Sequence, residues 1–234
     1  LMSTTKLITM YLSPWSERVR WALAFKRLPY EKQNYRPGVD EEEVKKLTGQ
    51  NQVPVLLTDG KAIPDSTAIL EWLEDSRPEP ALLPRSAKNR AQVTLWEELM
   101  TSVLGPQARM LIIGRCLRSR EPEMQQGGQF FAGKYGHSPY AEEQAKLTVK
   151  RVLLSLEHTL SGRQYLVGDA FTRADLTTAS MLMLLRPAPD ELFVFPAPMR
   201  PMYTEPLADD STWSAIFVWR DQMYKRHRGE VVKP

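Results

Sequence analysis

The chain has 234 residues, of which 42% are hydrophobic and 25% charged, and its 31 Lys and Arg residues nearly balance 28 Asp and Glu. Composition and length suit a globular protein of one large or two modest domains. Because the charge is balanced, the composition does not indicate a nucleic-acid-binding surface. No apolar run approaches the ~20 residues that are needed to cross a bilayer. The single cysteine, Cys116, excludes an intramolecular disulfide and a cysteine-based metal cage. We therefore expect a cytoplasmic protein that binds neither membrane nor nucleic acid.

The first elements are a strand and a helix. The apolar run 6–12 predicts a buried strand that contains Tyr11. Ser13 and Pro14 follow, and these residue types favour the N-cap and the first position of a helix, which should stop by residue 28 because Pro29 comes next. Helical spacing predicts one apolar stripe, with three charged residues off it. The stripe is Trp15, Val19, Ala22 and Leu23, and the charged residues are Glu17, Arg18 and Arg20.

Four more short elements complete this part of the chain. Strands are predicted at 30–35 and 53–57, with a polar helix at 40–47 between them. Asp59-Gly60 is a strong signal for a tight hairpin turn that returns through residues 61–63. A further helix begins near residue 65. The order β-α-β-α-β-β-α implies parallel pairing in its first half and an antiparallel hairpin at its end.

A change of pattern predicts a domain boundary. The segment 78–86 carries Pro78, Pro80 and Pro84 between charged residues, which is typical of a linker. We therefore expect an α/β domain over 1–77 and an all-helical domain over 87–234.

The second domain reads as helices joined by two irregular segments. A long helix over 87–117 should kink at Gly105-Pro106. The Gly- and Gln-rich stretch 121–138 predicts a loop, and the prolines of 187–206 predict an irregular segment held by tertiary contacts. The other predicted helices are 140–160, 172–185 and 212–224.

Three places in the first domain suggest chemistry. Ser13 should lie at a helix N-terminus, where unpaired N–H groups and the positive helix end stabilise an anion such as a thiolate. Pro54 interrupts a strand-like run, which fits a cis bond that turns Val53 towards a ligand. Asp65 and Ser66 at another helix start could hold an ammonium and a carboxylate. Each also has a purely structural interpretation, as a helix cap or an edge-strand proline.

The segment 172–175, Thr-Arg-Ala-Asp, has the pattern of a capping box before an apolar helix. We interpret it as structural. Loss of such a cap costs about 1 kcal/mol of stability rather than activity.

Taken together, these motifs resemble a known family. The segments SPWSERVRWAL, QVPVL, DSTAILEWLE and FTRADLTTAS occur in the order and with the spacing of cytosolic glutathione transferases. The resemblance spans both domains, from about residue 6 to the last helix. It implies a thioredoxin-like N-terminal domain, a helical C-terminal domain, glutathione as co-substrate and a homodimer.

The resemblance also implies roles for single residues. Ser13 matches the hydroxyl that hydrogen-bonds the glutathione sulfur in the serine-using classes, with Tyr11 in reserve. Val53, before a cis Pro54, matches the residue whose backbone pairs with the cysteinyl part. The γ-glutamyl end would be held by Asp65 and Ser66, and the glycyl carboxylate by Gln52.

The resemblance implies a small apolar electrophile bound between the domains, against Trp15, Leu104 and Leu111. The cysteine-using branches would have Cys at position 13, so thiol exchange through the protein is disfavoured, and Cys116 is interpreted as a buried apolar residue. His137, His158 and His227 lack metal-ligand spacing, so no metal is expected. A non-catalytic binding or scaffold protein, a peroxidase and an isomerase remain alternatives to glutathione conjugation.

Overall fold

The computed structural model describes residues 5–234, so the first four residues of the predicted α/β domain lie outside the described part. A four-stranded mixed sheet in the order β2-β1-β3-β4 organises the first part of the chain. β1 and β2 are parallel, and β3 is antiparallel to both β1 and β4, as the element order predicted. The strands are β1 (Lys6–Thr9), β2 (Glu31–Asn34), β3 (Val55–Thr58) and β4 (Lys61–Pro64).

Helices cover both faces of this sheet, and they are α1 (Pro14–Phe25), α2 (Glu41–Thr48) and α3 (Ser66–Ser76). Successive side chains of a strand point to opposite faces, so Leu7 enters the main core while its neighbour Ile8 packs with Val44 of α2. The β3–β4 turn has positive φ at both Asp59 (49°) and Gly60 (73°), the backbone that a two-residue hairpin requires. The predicted thioredoxin-like order is confirmed.

The remainder of the described chain is helical apart from its connections. Helices α4 (Ala87–Glu98) and α5 (Gly105–Leu117) are joined by a π-helical segment, Leu99–Leu104, directly before the Gly105-Pro106 pair at which a kink is predicted. Pro106 has no N–H with which to bond one turn back. The N–H of Gly105, just before it, bonds to the carbonyl of Met100, which lies five residues earlier, as in a π-helix. The larger helices are α4 (Ala87–Glu98), α5 (Gly105–Leu117), α6 (Pro122–Tyr135), α7 (Pro139–Leu160) and α8 (Arg173–Met181).

The predicted loop at 121–138 is wrong, because α6 occupies most of it. Gly128 lies in this helix, and a Cβ built there would meet the backbone N of Leu117 at 2.9 Å and the Cβ of Cys116 at 3.0 Å. The absence of a side chain at Gly128 therefore allows α6 to pack closely against α5, and this glycine does not form a turn. Composition alone does not distinguish these two uses.

The polar face predicted for α1 is also wrong. Glu17, Arg18 and Arg20 are all buried, because α1 packs against α3 on one side and α8 on the other. Their charges are paired inside the protein. Arg20 pairs with Glu17 at 2.9 Å, and Arg228 near the C-terminus reaches the same carboxylate at 2.8 Å.

The two proline-rich segments are held by side chains from elsewhere in the chain. Lys26 Nζ donates to the carbonyls of Arg77 (2.6 Å) and Pro80 (2.9 Å) in the predicted linker. The segment 187–206 contains only a short helix, α9 (Arg200–Tyr203), and Arg115 pairs with Glu205 at its end. A last helix, α10 (Ser214–Met223), follows. The exact domain boundary stays a prediction. No described helix is long and apolar enough to span a membrane.

The segment 172–175 forms a complete capping box at the start of α8. Asp175 accepts hydrogen bonds from the N–H groups of Thr172 (2.9 Å) and Leu166 (2.8 Å). Besides capping the helix, it therefore fixes the loop that precedes α8.

Asp175 should make stability depend on pH. Burial raises its pKa to about 6, whereas an unfolded chain titrates near ~4. Because the folded state holds this proton more tightly than the unfolded state does, protonation of Asp175 stabilises the fold. This stabilisation is complete below the unfolded-state pKa and is lost as pH rises through the folded-state pKa. We expect wild type to gain about 2 kcal/mol over Asp175→Asn as pH falls from 7 to 4. Urea midpoints across this range measure the difference, and parallel curves for the two proteins would contradict it.

Candidate active site

A cavity of about 980 Å³ lies between the sheet part and the helical part. Most residues predicted for the site line it, although they come from distant points of the sequence. They are Ser13, Trp15, Gln52, Val53, Pro54, Asp65 and Ser66. The carboxyl end of β1 and the N-termini of α1 and α3 therefore meet at one opening.

Ser13 is the N-cap of α1 and only 5% exposed. Its Oγ accepts a hydrogen bond from the N–H of Ser16 at 3.3 Å, so its own hydrogen stays free to donate. It stands at the positive end of the helix and faces the cavity. These features suit stabilisation of an anion.

Two other hydroxyl groups lie near Ser13, and neither offers its hydrogen to the cavity. Tyr11 lies in the turn after β1, not inside the strand as predicted. Its hydroxyl lies 2.6 Å from the carbonyl of Val194, to which it donates, and 3.1 Å from that of Val232, and burial raises its pKa well above the ordinary value. Ser16 is fully buried and does not line the cavity, and its Oγ accepts from the N–H of Met10 at 3.2 Å. Tyr11 thus holds the C-terminal segment, and Ser13 is the better placed hydroxyl.

The loop before β3 presents backbone groups to the cavity. The Val53–Pro54 peptide bond is cis. Within residues 5–234, neither the N–H nor the carbonyl of Val53 has a hydrogen-bond partner. Gln50 clamps the neighbouring Gln52, whose carbonyl accepts from the Gln50 side chain at 3.0 Å. A ligand with an extended backbone could pair with Val53 as an added strand does.

The N-terminus of α3 provides the third group of contacts. Asp65 adopts a positive φ of 74°, which is strained for a residue with a side chain. Its carboxylate accepts from the N–H groups of Thr67 (2.8 Å) and Ala68 (3.1 Å) and remains exposed. Ser66 is buried beside it at the cavity wall.

A buried ion network supports Ser66. Arg18 Nη1 donates to Ser66 Oγ at 3.1 Å, and Nη2 of the same guanidinium pairs with Glu97 of α4. Glu97 also binds Arg173 of α8 at 2.7 Å, while Thr177 accepts from Arg18 Nε at 3.1 Å. Because Ser66 Oγ accepts from a cation, its hydrogen is directed to another acceptor, such as a ligand carboxylate. This network was not predicted from the sequence.

The helical wall of the cavity differs from the prediction. Leu104 and Leu111 were predicted to line the cavity, but they do not. Both side chains are buried in the core. Arg109 of α5 lines the cavity instead, close to the rings of Trp15 and Tyr135. The other lining residues of α5 are Pro106, Ile112, Ile113 and Cys116, and α6 adds Glu123, Met124, Gly127, Gly128, Phe131, Lys134 and Tyr135.

Cys116 is buried and its pKa is raised by burial, as suits an apolar wall residue. Among the described residues, no group of three His, Cys, Asp or Glu side chains is arranged to hold a metal ion. His227 stacks on Phe171, and His137 lies 3.2 Å from the carboxylate of Glu142.

Known proteins share this architecture. A model of the glutathione S-transferase N-terminal domain matches residues 7–81, and one of the C-terminal domain matches residues 116–193. A probable glutathione S-transferase of Nicotiana tabacum is 26% identical over 176 residues, which cover 75% of this chain and 68% of the relative. A probable maleylacetoacetate isomerase of Caenorhabditis elegans is 32% identical over 181 residues, which cover 75% and 76%.

A crystal structure of maleylacetoacetate isomerase from Anaeromyxobacter dehalogenans, with dicarboxyethyl glutathione and citrate bound in its active site, is also similar. It superimposes with a TM-score of 0.61 and 27% identity, covering 94% of this chain and 89% of that one. The chain belongs to the glutathione S-transferase family.

Proposed function

We propose that this protein is a serine-type glutathione transferase that conjugates glutathione to small electrophiles. The observation that carries the proposal is Ser13, a buried N-cap hydroxyl with a free hydrogen at the cavity. Glutathione would lie along Val53, with its γ-glutamyl end at Asp65 and Ser66. Its glycyl carboxylate would reach Gln52.

The proposed chemistry needs little from the protein. A free thiol has a pKa of about 8.5, and lowering it by two units takes about 2.7 kcal/mol of preferential stabilisation of the thiolate. One hydroxyl donor together with a helix N-terminus can supply this amount. With an aryl halide, the thiolate attacks the ring carbon, a C–S bond forms, and the halide leaves with the displaced electron pair. With an isothiocyanate, the thiolate adds to the central carbon and the nitrogen takes up a proton.

A second candidate is a glutathione-dependent isomerase, which the relatives of that name favour. There, the thiolate would add to a cis double bond beside a carbonyl, rotation would follow, and elimination would return the thiolate. Glutathione is consumed in conjugation but not in isomerisation. A peroxidase would oxidise glutathione to its disulfide.

One assay panel separates these reactions. We expect turnover of an aryl halide or an isothiocyanate with stoichiometric loss of glutathione thiol. Isomerisation of a cis-enedione without thiol loss would favour the second candidate, and disulfide formation with a hydroperoxide would indicate a peroxidase. Absence of all three activities, with glutathione still bound, would favour a binding or scaffold protein. We also propose a homodimer, which light scattering after gel filtration tests.

A further inference from the structure

The cavity contains an arginine that the proposed glutathione contacts do not use. Arg109 lines the cavity from α5, opposite the sheet, and its guanidinium carbon lies 5.2 Å from the ring centroid of Trp15 and 3.6 Å from that of Tyr135. Trp15 is two positions after Ser13 in α1. Arg109 therefore lies on the side of the cavity where a thiolate at Ser13 would meet its electrophile.

Arg109 has no acidic partner among residues 5–234. Its Nε–H is shut off from solvent without an acceptor, and no carboxylate pairs with its guanidinium. Burial lowers its pKa, but a guanidinium remains charged in proteins. The Tyr135 ring stacks closely on the guanidinium, and stacking of this kind leaves the N–H edges of the group available to an in-plane acceptor.

Other charged side chains at the cavity are differently placed. Lys134, the other cation of the described lining, pairs with Glu41 at 2.6 Å, and Asp65 binds the backbone at the start of α3. Glu123 lies in the first turn of α6 and is not among the groups that act on Arg109. The lining therefore holds an uncompensated positive charge at Arg109.

We propose that Arg109 is the anchor for a carboxylate on the second substrate, so that this enzyme acts on acidic rather than purely apolar electrophiles. A carboxylate beside Trp15 would accept paired hydrogen bonds from the guanidinium, the geometry that arginine provides best. The aromatic rings would pack on the rest of the substrate. This inference rests on the proposed glutathione site, and it replaces the small apolar electrophile expected from the family resemblance.

Binding of two product-like ligands tests the proposal without requiring turnover. The ligands are S-benzylglutathione and S-(4-carboxybenzyl)glutathione, measured by isothermal titration calorimetry. We expect wild type to prefer the carboxylated ligand. Arg109→Met should lower the affinity for the carboxylated ligand by about 30-fold, because a hydrogen bond to a charged group is lost. Its affinity for S-benzylglutathione should change by less than about threefold. Arg109→Lys, which keeps charge but not the planar fork, should be intermediate.

Arg186→Met is the matched control, because Arg186 also stacks on a ring, 4.4 Å from the Phe217 centroid, but does not line the cavity. It should retain the wild-type preference. Equal affinity of wild type for both ligands, or equal losses of both in Arg109→Met, would overturn the role of Arg109 while leaving the glutathione site intact. If wild type binds neither ligand, both this inference and the proposed function fail. If wild type binds these ligands tightly but conjugates no electrophile, only the proposed transferase reaction would be contradicted.

Discussion

Replacement of Ser13 by alanine is expected to reduce kcat/KM for conjugation at least tenfold, equivalent to about 1.4 kcal/mol of transition-state stabilisation. The alanine keeps the backbone of the α1 N-terminus but removes the hydroxyl hydrogen that Ser13 can donate into the cavity. The thiolate would then rely on the helix terminus alone. We also expect the pH profile of kcat/KM to move to higher pH, because the bound thiol ionises less readily.

The same change removes a helix cap, so a control for stability is needed. Ser138 offers one: it precedes Pro139 as Ser13 precedes Pro14, and its side chain accepts from the N–H of Ala141 at 3.1 Å. Both alanine variants should lose about 1 kcal/mol of stability, but only Ser13→Ala should lose activity. Ser13→Thr should restore part of it. Equal activity of wild type and Ser13→Ala would mean that another donor holds the thiolate.

Replacement of Glu97 by glutamine is expected to have the largest effect on stability, about 3–5 kcal/mol. Glu97 is 3% exposed and is the shared carboxylate of two buried guanidinium groups, those of Arg18 and Arg173. Glutamine has nearly the same shape but leaves both cations without a counter-charge. Breaking a buried pair in this way costs far more than losing a pair on the surface.

The urea midpoint, together with the slope of the transition, measures this loss. Glu143→Gln is the matched control, since Glu143 pairs with Lys146 at 2.6 Å on the exposed side of α7, and its effect should stay below about 1 kcal/mol. Because Arg18 also holds Ser66, Glu97→Gln should raise the KM for glutathione in the fraction that folds. A loss of stability similar to that of the surface variant would contradict the proposed importance of the network.

Several elements of the chain were predictable because their signals are local. Ser13-Pro14, Asp59-Gly60 and the capping box at Thr172 act through the backbone within a few residues, and each has the predicted form in the structure. The order of strands and helices followed from the same signals. The positions expected to hold glutathione also meet at one cavity, although their roles stay a proposal.

The errors share a cause, which is that a single sequence does not show what packs against what. The glycines of α6 suggested a loop, yet Gly128 allows α6 to approach α5 closely. Leu104 and Leu111 suggested a pocket wall, but the helix turns them into the core.

Local sequence signals were enough to predict strands, caps and turns, because those choices depend on neighbours along the chain. The partners of the charged side chains, in contrast, depend on the folded structure. Nothing within a few residues of Arg18 shows that its counter-charge is Glu97, 79 positions further along the chain. Arg18 is neutralised because α4 brings Glu97 to it, whereas Arg109 lines a cavity near two aromatic rings and has no acidic partner among the described residues. Electrostatic partners are set by contacts between distant segments, and these exist only once the chain has folded.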